Sequence, residues 1–170
     1  MIQFNRWLQK VTKSKTVFSA DACQRGINTC DKMEQVSELF ERVSDGIPYT
    51  CRCEVGSQIS AELISDLIVY YDYSIEKEKI VAYIDTSLLK STSLGLVFCE
   101  NGFYHKDTVV AQYFPYDEIE SVTTDGCQVL ISMRNSQRSH ALFEGIDENV
   151  LVEIINGLRR IWAKGEIDAK

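Results

Sequence analysis

Between Ile80 and Glu144 the chain reads as seven short runs in which apolar and polar residues tend to alternate: IVAYIDT (80–86), LGLVFCE (94–100), FYHKD (103–107), VVAQYFPY (109–116), IESVTT (119–124), CQVLISMR (127–134) and RSHALFE (138–144). A period of two is the mark of a strand with one face buried. Asn101-Gly102, Asp125-Gly126 and Asn135-Ser136 separate several of these runs, and Asn-Gly and Asp-Gly are the strongest short hairpin signals. Ser87–Ser93 is a polar loop, and Pro115 belongs near a strand end because it has no N–H to donate. After the last run, Asp147 opens an amphipathic helix that presents Val150, Leu151, Ile154, Ile155, Leu158 and Ile161 on one side. Arg159 and Arg160 lie near its end, where the helix dipole favours cations. The order dictates an α+β fold. Seven antiparallel strands form a strongly bent sheet or partial barrel, and the C-terminal helix covers its open end.

Upstream the period is helical. Phe4, Trp7, Leu8 and Val11 predict a short amphipathic helix with a basic polar face. Residues 12–30, with Gly26 and Asn28, predict an irregular connection. Asp31 and Glu34 have capping-box spacing ahead of a stripe of Met33, Val36, Phe40 and Val43, and Gly46 and Pro48 stop that helix. Residues 49–55 fit a short strand or a loop. Ser57 or Ser60 then caps a helix whose apolar face holds Leu63, Ile64, Leu67, Ile68 and Tyr71. The expected organisation is an N-terminal helical extension over 1–56, the sheet domain over 57–165 and a tail over 166–170.

The run EKEKIVAYIDTSLLKSTSLGLVFCENGFYHK, followed by YFPYDEIESV, resembles the bacterial PH-like domains. The resemblance rests on Asp85-Thr86, the polar loop Ser87–Ser93, Gly95, Gly102-Phe103-Tyr104, and Phe114-Pro115-Tyr116 leading to Ile119. It covers residues 60–163 and does not reach residues 1–50. It implies a PH-like barrel closed by a helix, a fold that hosts many unrelated binding roles and so names no function by itself.

Charge narrows the partners. The 170 residues carry a net charge of -7, distributed as +4 over residues 1–20, -13 over 21–158 and +2 over 159–170. An acidic body repels phosphate backbones, so nucleic acid is not an expected partner and a basic protein is. Phosphoinositide binding needs clustered Lys and Arg, whereas the Ser87–Ser93 loop offers only Lys90. No apolar run reaches the ~18 residues of a membrane span, and the N-terminus lacks a secretory pattern. A cytoplasmic location, with the 6 cysteines as reduced thiols, is the expectation.

The chemistry-bearing residues are sparse. Cys23, Cys30, Cys51 and Cys53 are spaced C-x6-C-x20-C-x-C, which is not the knuckle spacing of structural zinc, so no metal or other cofactor is expected. Cys99 and His105 flank the Asn101-Gly102 turn, but no helix N-terminus is at hand to lower the thiol pKa. His140 falls on a strand, and the acids of 144–148 suit a helix start. No catalytic residue is therefore assigned. Tyrosines combine contact area with a polar tip, and acids meet a basic partner. The candidate partner-binding residues are therefore Tyr104, Tyr113, Asp117, Glu118 and Glu120. The expected function is a non-catalytic protein-binding module, in its concrete form a bacterial immunity protein that neutralises a basic, nuclease-type toxin. The alternatives are a membrane-surface protein using the basic N-terminal helix and a Cys–His enzyme.

Overall fold

The structure, a computed structural model, describes residues 20–162 other than 88–90, 108, 137–138 and 143–144, with the backbone alone for 20–28 and 139. The expected helix on Phe4, Trp7, Leu8 and Val11 and the tail at 166–170 lie outside the described residues. The chain divides into two compact units, Met1–Asp31 and Lys32–Lys170, and the core lies in the second.

The elements are α1 (Ala20–Val43), β1 (Arg52–Val55), α2 (Ala61–Tyr70), β2 (Ile80–Asp85), β3 (Gly95–Cys99), β4 (Gly102–Lys106), β5 (Gln112–Pro115), β6 (Ile119–Thr124), β7 (Val129–Met133), β8 (Ser139–Leu142) and α3 (Glu148–Trp162). The fold is α+β. Its strands form a five-stranded antiparallel sheet, β1-β2-β3-β4-β5, and a three-stranded one, β6-β7-β8.

Three expectations change. Among the described residues, eight strands stand in two sheets where a single sheet of seven was expected, because residues 52–55 pair with β2 and β5 does not pair with β6. The chain turns after Tyr116, whose N–H still meets the Asn101 carbonyl at 3.0 Å, with the Glu118 N–H returning to the Pro115 carbonyl at 3.1 Å. Secondly, α1 begins at Ala20, so Asp31 sits inside a helix and residues 20–30 are not an irregular connection. A glycine inside a helix costs only about 1 kcal/mol, too little for Gly26 to break one by itself. Thirdly, the β3–β4 turn is made by Glu100 and Asn101, since Cys99 pairs with Gly102. Gly102 belongs to the strand. A Cβ there would stand 2.5 Å from the Phe114 carbonyl oxygen, so close backbone approach demands the glycine rather than turn conformation.

The sheet registers explain the packing. Ala82, Phe98, Phe103 and Phe114 form one row across β2–β5, and Tyr83, Val97, Tyr104 and Tyr113 form the next. Successive residues of a strand point to opposite faces, so the two rows serve two cores. The inner row stacks Phe103 on Phe98 and Phe114 at centroid distances of 5.8 and 5.0 Å. It joins Val36, Leu39, Phe40 and Val43 of α1, Ile119, Val122 and Ile131 of β6–β7, and Leu151, Ile154, Ile155 and Leu158 of α3. The outer row lies with Leu63 and Leu67 of α2, so β2, β3 and β4 are buried on both faces. Burying one such large side chain contributes about 1.5–3 kcal/mol, and together the two rows fix the register of the sheet.

Helix ends are satisfied locally. The Ser60 hydroxyl accepts the Leu63 N–H at 3.1 Å, and the Asp147 carboxylate accepts those of Asn149 and Val150 at 2.9 and 3.3 Å. At the other end of α2, the buried Lys106 ammonium donates to the Tyr70 carbonyl and lies over the Tyr70 and Tyr71 rings. The helices α1 and α3 run antiparallel. Lys32 meets Trp162, a Gly157 Cβ would stand 2.5 Å from Leu39, Arg42 pairs with Glu153 at 2.9 Å, and a Gly46 Cβ would stand 2.2 Å from Val150.

Candidate functional site

The outer tyrosine row ends in a groove. Tyr104 and Tyr113 face each other across β4 and β5 with ring centroids 4.6 Å apart. The chain linking α2 to β2 passes beside them and supplies Asp72, Glu76 and Lys79. Those residues, with Cys99 and Asn101, line a cavity of about 300 Å³. The linking segment is ordered by its own polar groups. The Asp72 carboxylate accepts the Ser74 N–H at 2.8 Å, the Lys79 ammonium donates to Glu76 at 2.7 Å, and the Lys79 carbonyl accepts the Glu100 N–H at 3.0 Å. The last bond ties the segment to the β3–β4 turn.

The field in the groove is negative. Burial, then Tyr104, Cys99, Asp117 and Glu118, pushes the Tyr113 phenol up to about 12. Burial also raises Tyr104, against a hydrogen bond with Ser74 that lowers it. The Glu100 carboxyl is raised chiefly by burial. Asp117 and Glu118 are exposed in the turn after β5. Of the five expected partner-binding residues, Tyr104 and Tyr113 line the groove, whereas Asp117 and Glu118 lie in the turn that follows β5 and are not among its lining residues. Glu120 is exposed on β6, in the other sheet, and does not line the groove. The sequence reading missed Asp72 and Glu76. The available signal was an acid set between Tyr71 and Tyr73, just past a helix end.

Cys99 and His105 do not form a pair. Cys99 faces α2 with Val97, whereas His105 is opposite Leu96 and shares the parity of Phe103, so the two side chains leave the sheet on opposite faces. Burial and Glu100 push the Cys99 thiol up to about 12, which leaves it protonated near neutral pH. Burial, then Cys51 and Glu54, does the same to Cys53. Cys30 and Cys127 are exposed thiols. Among the described residues, no group of three or more His, Cys, Asp or Glu is placed to hold a metal ion, and the Cys23 side chain lies outside them.

The polar loop after β2 is built around a buried carboxylate. Asp85 accepts the Ser87 N–H at 2.9 Å, the Ser87 hydroxyl at 2.5 Å and the Thr92 N–H at 3.1 Å. The Ser87 hydroxyl in turn accepts the Ser91 N–H at 2.8 Å. Thr92 is held at φ +63°, a left-handed conformation that costs a β-branched residue energy and persists only where neighbours fix it. The Asp-Thr step and its serines therefore serve the architecture of the loop. Among the described residues, no helix is long and apolar enough to cross a membrane.

Comparison of the chain with protein-family models, curated proteins and solved structures finds no match.

Proposed function

We propose that the chain is a non-catalytic, cytoplasmic binding module of the PH-like kind whose partner is a basic protein. Its concrete form is a bacterial immunity protein that covers the cationic active site of a nuclease-type toxin. The observation that carries the reading is the groove itself: paired tyrosines with Asp72 and Glu76 in its lining and Lys79 as the cation among its lining residues, and with Asp117 and Glu118 exposed in the turn after the Tyr113 strand. Aromatic walls supply contact area, and the negative field steers and orients a cationic partner. A body charge of -13 over residues 21–158 extends that field well beyond the groove. What supports the PH-like reading is the order of elements alone: strands β2–β8 are followed by a helix, though they fall in two sheets with β1 added at the edge of the first. Cys99, protonated and facing away from His105, supports the non-catalytic side of the reading.

The test is retention of proteins from lysate on the immobilised chain, compared with an Asp117→Lys/Glu118→Lys double variant. A stoichiometric basic partner that elutes as salt rises, and that the variant retains about tenfold less well, is the expected result. Recovery of the chain alone, or of a partner indifferent to both salt and charge reversal, rejects the reading.

A further inference from the structure

We infer that the groove between the α2–β2 connection and the β4–β5 edge receives an arginine side chain of the basic partner, stacked on Tyr113 and paired with Asp72. The inference rests on the reading above and makes it specific. A guanidinium is planar, weakly hydrated and able to stack on an aromatic face while its N–H groups bond a carboxylate. The groove offers both halves of that recognition. Tyr113 is half-buried against Tyr104, so its ring is held in place before any ligand arrives. Asp72 is fixed by the Ser74 N–H on one carboxylate oxygen, Oδ1. Glu76 is occupied by Lys79, so among the described residues Asp72 is the lining carboxylate without an ammonium partner. Ile75, Cys99 and the two tyrosine rings supply the apolar part of the wall, against which the methylenes of an arginine stem can lie. A lysine ammonium, strongly hydrated and unable to stack in the same way, fits such a wall less well.

The full chain is to be titrated with N-acetyl-arginine amide, N-acetyl-lysine amide and N-acetyl-citrulline amide, followed by backbone amide NMR. Citrulline keeps the shape and removes the charge. Saturable shifts at Asn101, Tyr104 and Tyr113 are expected with arginine, about fivefold weaker affinity with lysine, and no saturation with citrulline. Tyr113→Ala should abolish the arginine shifts. Asp72→Asn, which keeps an acceptor for Ser74, should weaken them about fivefold without disturbing the fold. Equal responses to arginine and citrulline, or non-saturating shifts scattered over the acidic surface, overturn the inference. The two readings fail separately. Saturable arginine binding with no basic partner retained removes the module reading and leaves the groove. A retained partner that ignores Tyr113→Ala and Asp72→Asn, together with silence toward arginine, removes the groove alone.

Discussion

A fully buried carboxyl group needs hydrogen-bond donors around it, and Asp85 has three of them from Ser87 and Thr92. Replacing it with alanine leaves those donors without their acceptor inside the protein. Asp85→Ala should therefore cost about 2–4 kcal/mol, read as a lowered urea midpoint. Asp85→Asn should cost less than alanine, because the amide oxygen still accepts from Ser87, although the amide nitrogen cannot accept the Thr92 N–H. The resemblance marked the Asp-Thr step without a reason, and the reason lies in the loop it organises. Buried thiols and phenols set the alkaline limit. Cys53 and Cys99 are raised from 9.0, and Tyr113 from 10.0, each to about 12, with burial as the first cause. Unfolding exposes these groups, so above pH 9 the unfolded chain ionises while the folded chain keeps its protons. Stability is thus full below that point and falls as pH rises from about 9 to 12. Thermal unfolding across that range should show the decline, and a flat profile would contradict the assigned burial. Alkylation at neutral pH should mark Cys30 and Cys127 well before Cys53 and Cys99.

Glycines record where elements meet. A Cβ on Gly102 would strike the Phe114 carbonyl, which belongs to the backbone of the neighbouring strand, whereas one on Gly157 would strike the Leu39 side chain, which can turn aside. Gly102→Ala should therefore destabilise by about 3 kcal/mol and Gly157→Ala by about 1 kcal/mol, with the order testable by chemical denaturation. A larger loss at Gly157 would mean that α1 and α3 pack more rigidly than the strands do. At this scale most elements were legible in the sequence. The strands announced themselves by alternation, and Ser60 and Asp147 announced the helix starts they cap. The early start of α1 was not legible, because Gly26 and Asn28 resemble loop residues and nothing local says that a longer helix overrides them. Residues 49–55 read equally as a short strand or a loop, and it is pairing with β2 that makes four of them β1. The groove was half legible. Tyr104 and Tyr113 declare themselves by residue type, but Asp72 and Glu76 arrive only when α2 is laid across the sheet.

For the whole molecule, the boundary expected at residue 56 meets a core that uses Val36, Leu39, Phe40 and Val43. A chain starting at Ser57 loses those four side chains and β1 together. It should fail to give a cooperative unfolding transition, whereas one starting at Lys32 keeps the unit Lys32–Lys170 and should unfold cooperatively. Differential scanning calorimetry of the two chains decides the matter, and a sharp transition from the shorter one would show that α1 is dispensable. The two sheets share one core yet meet at β5 and β8 through side chains: Gln112 with His140 at 2.8 Å, and the Phe114 ring edge-on to His140. The helix α3 is bonded to β6 through Arg159 and Asn156. The antiparallel brace of α1 and α3 joins chain segments more than a hundred residues apart. On the ribosome, α1 emerges while α3 is still untranslated message. Phe40 can meet Phe98 once β3 has been made, but the side of α1 that Gly157 closes on at Leu39 has no native cover until synthesis reaches α3, so the nascent polypeptide exposes apolar surface for that interval.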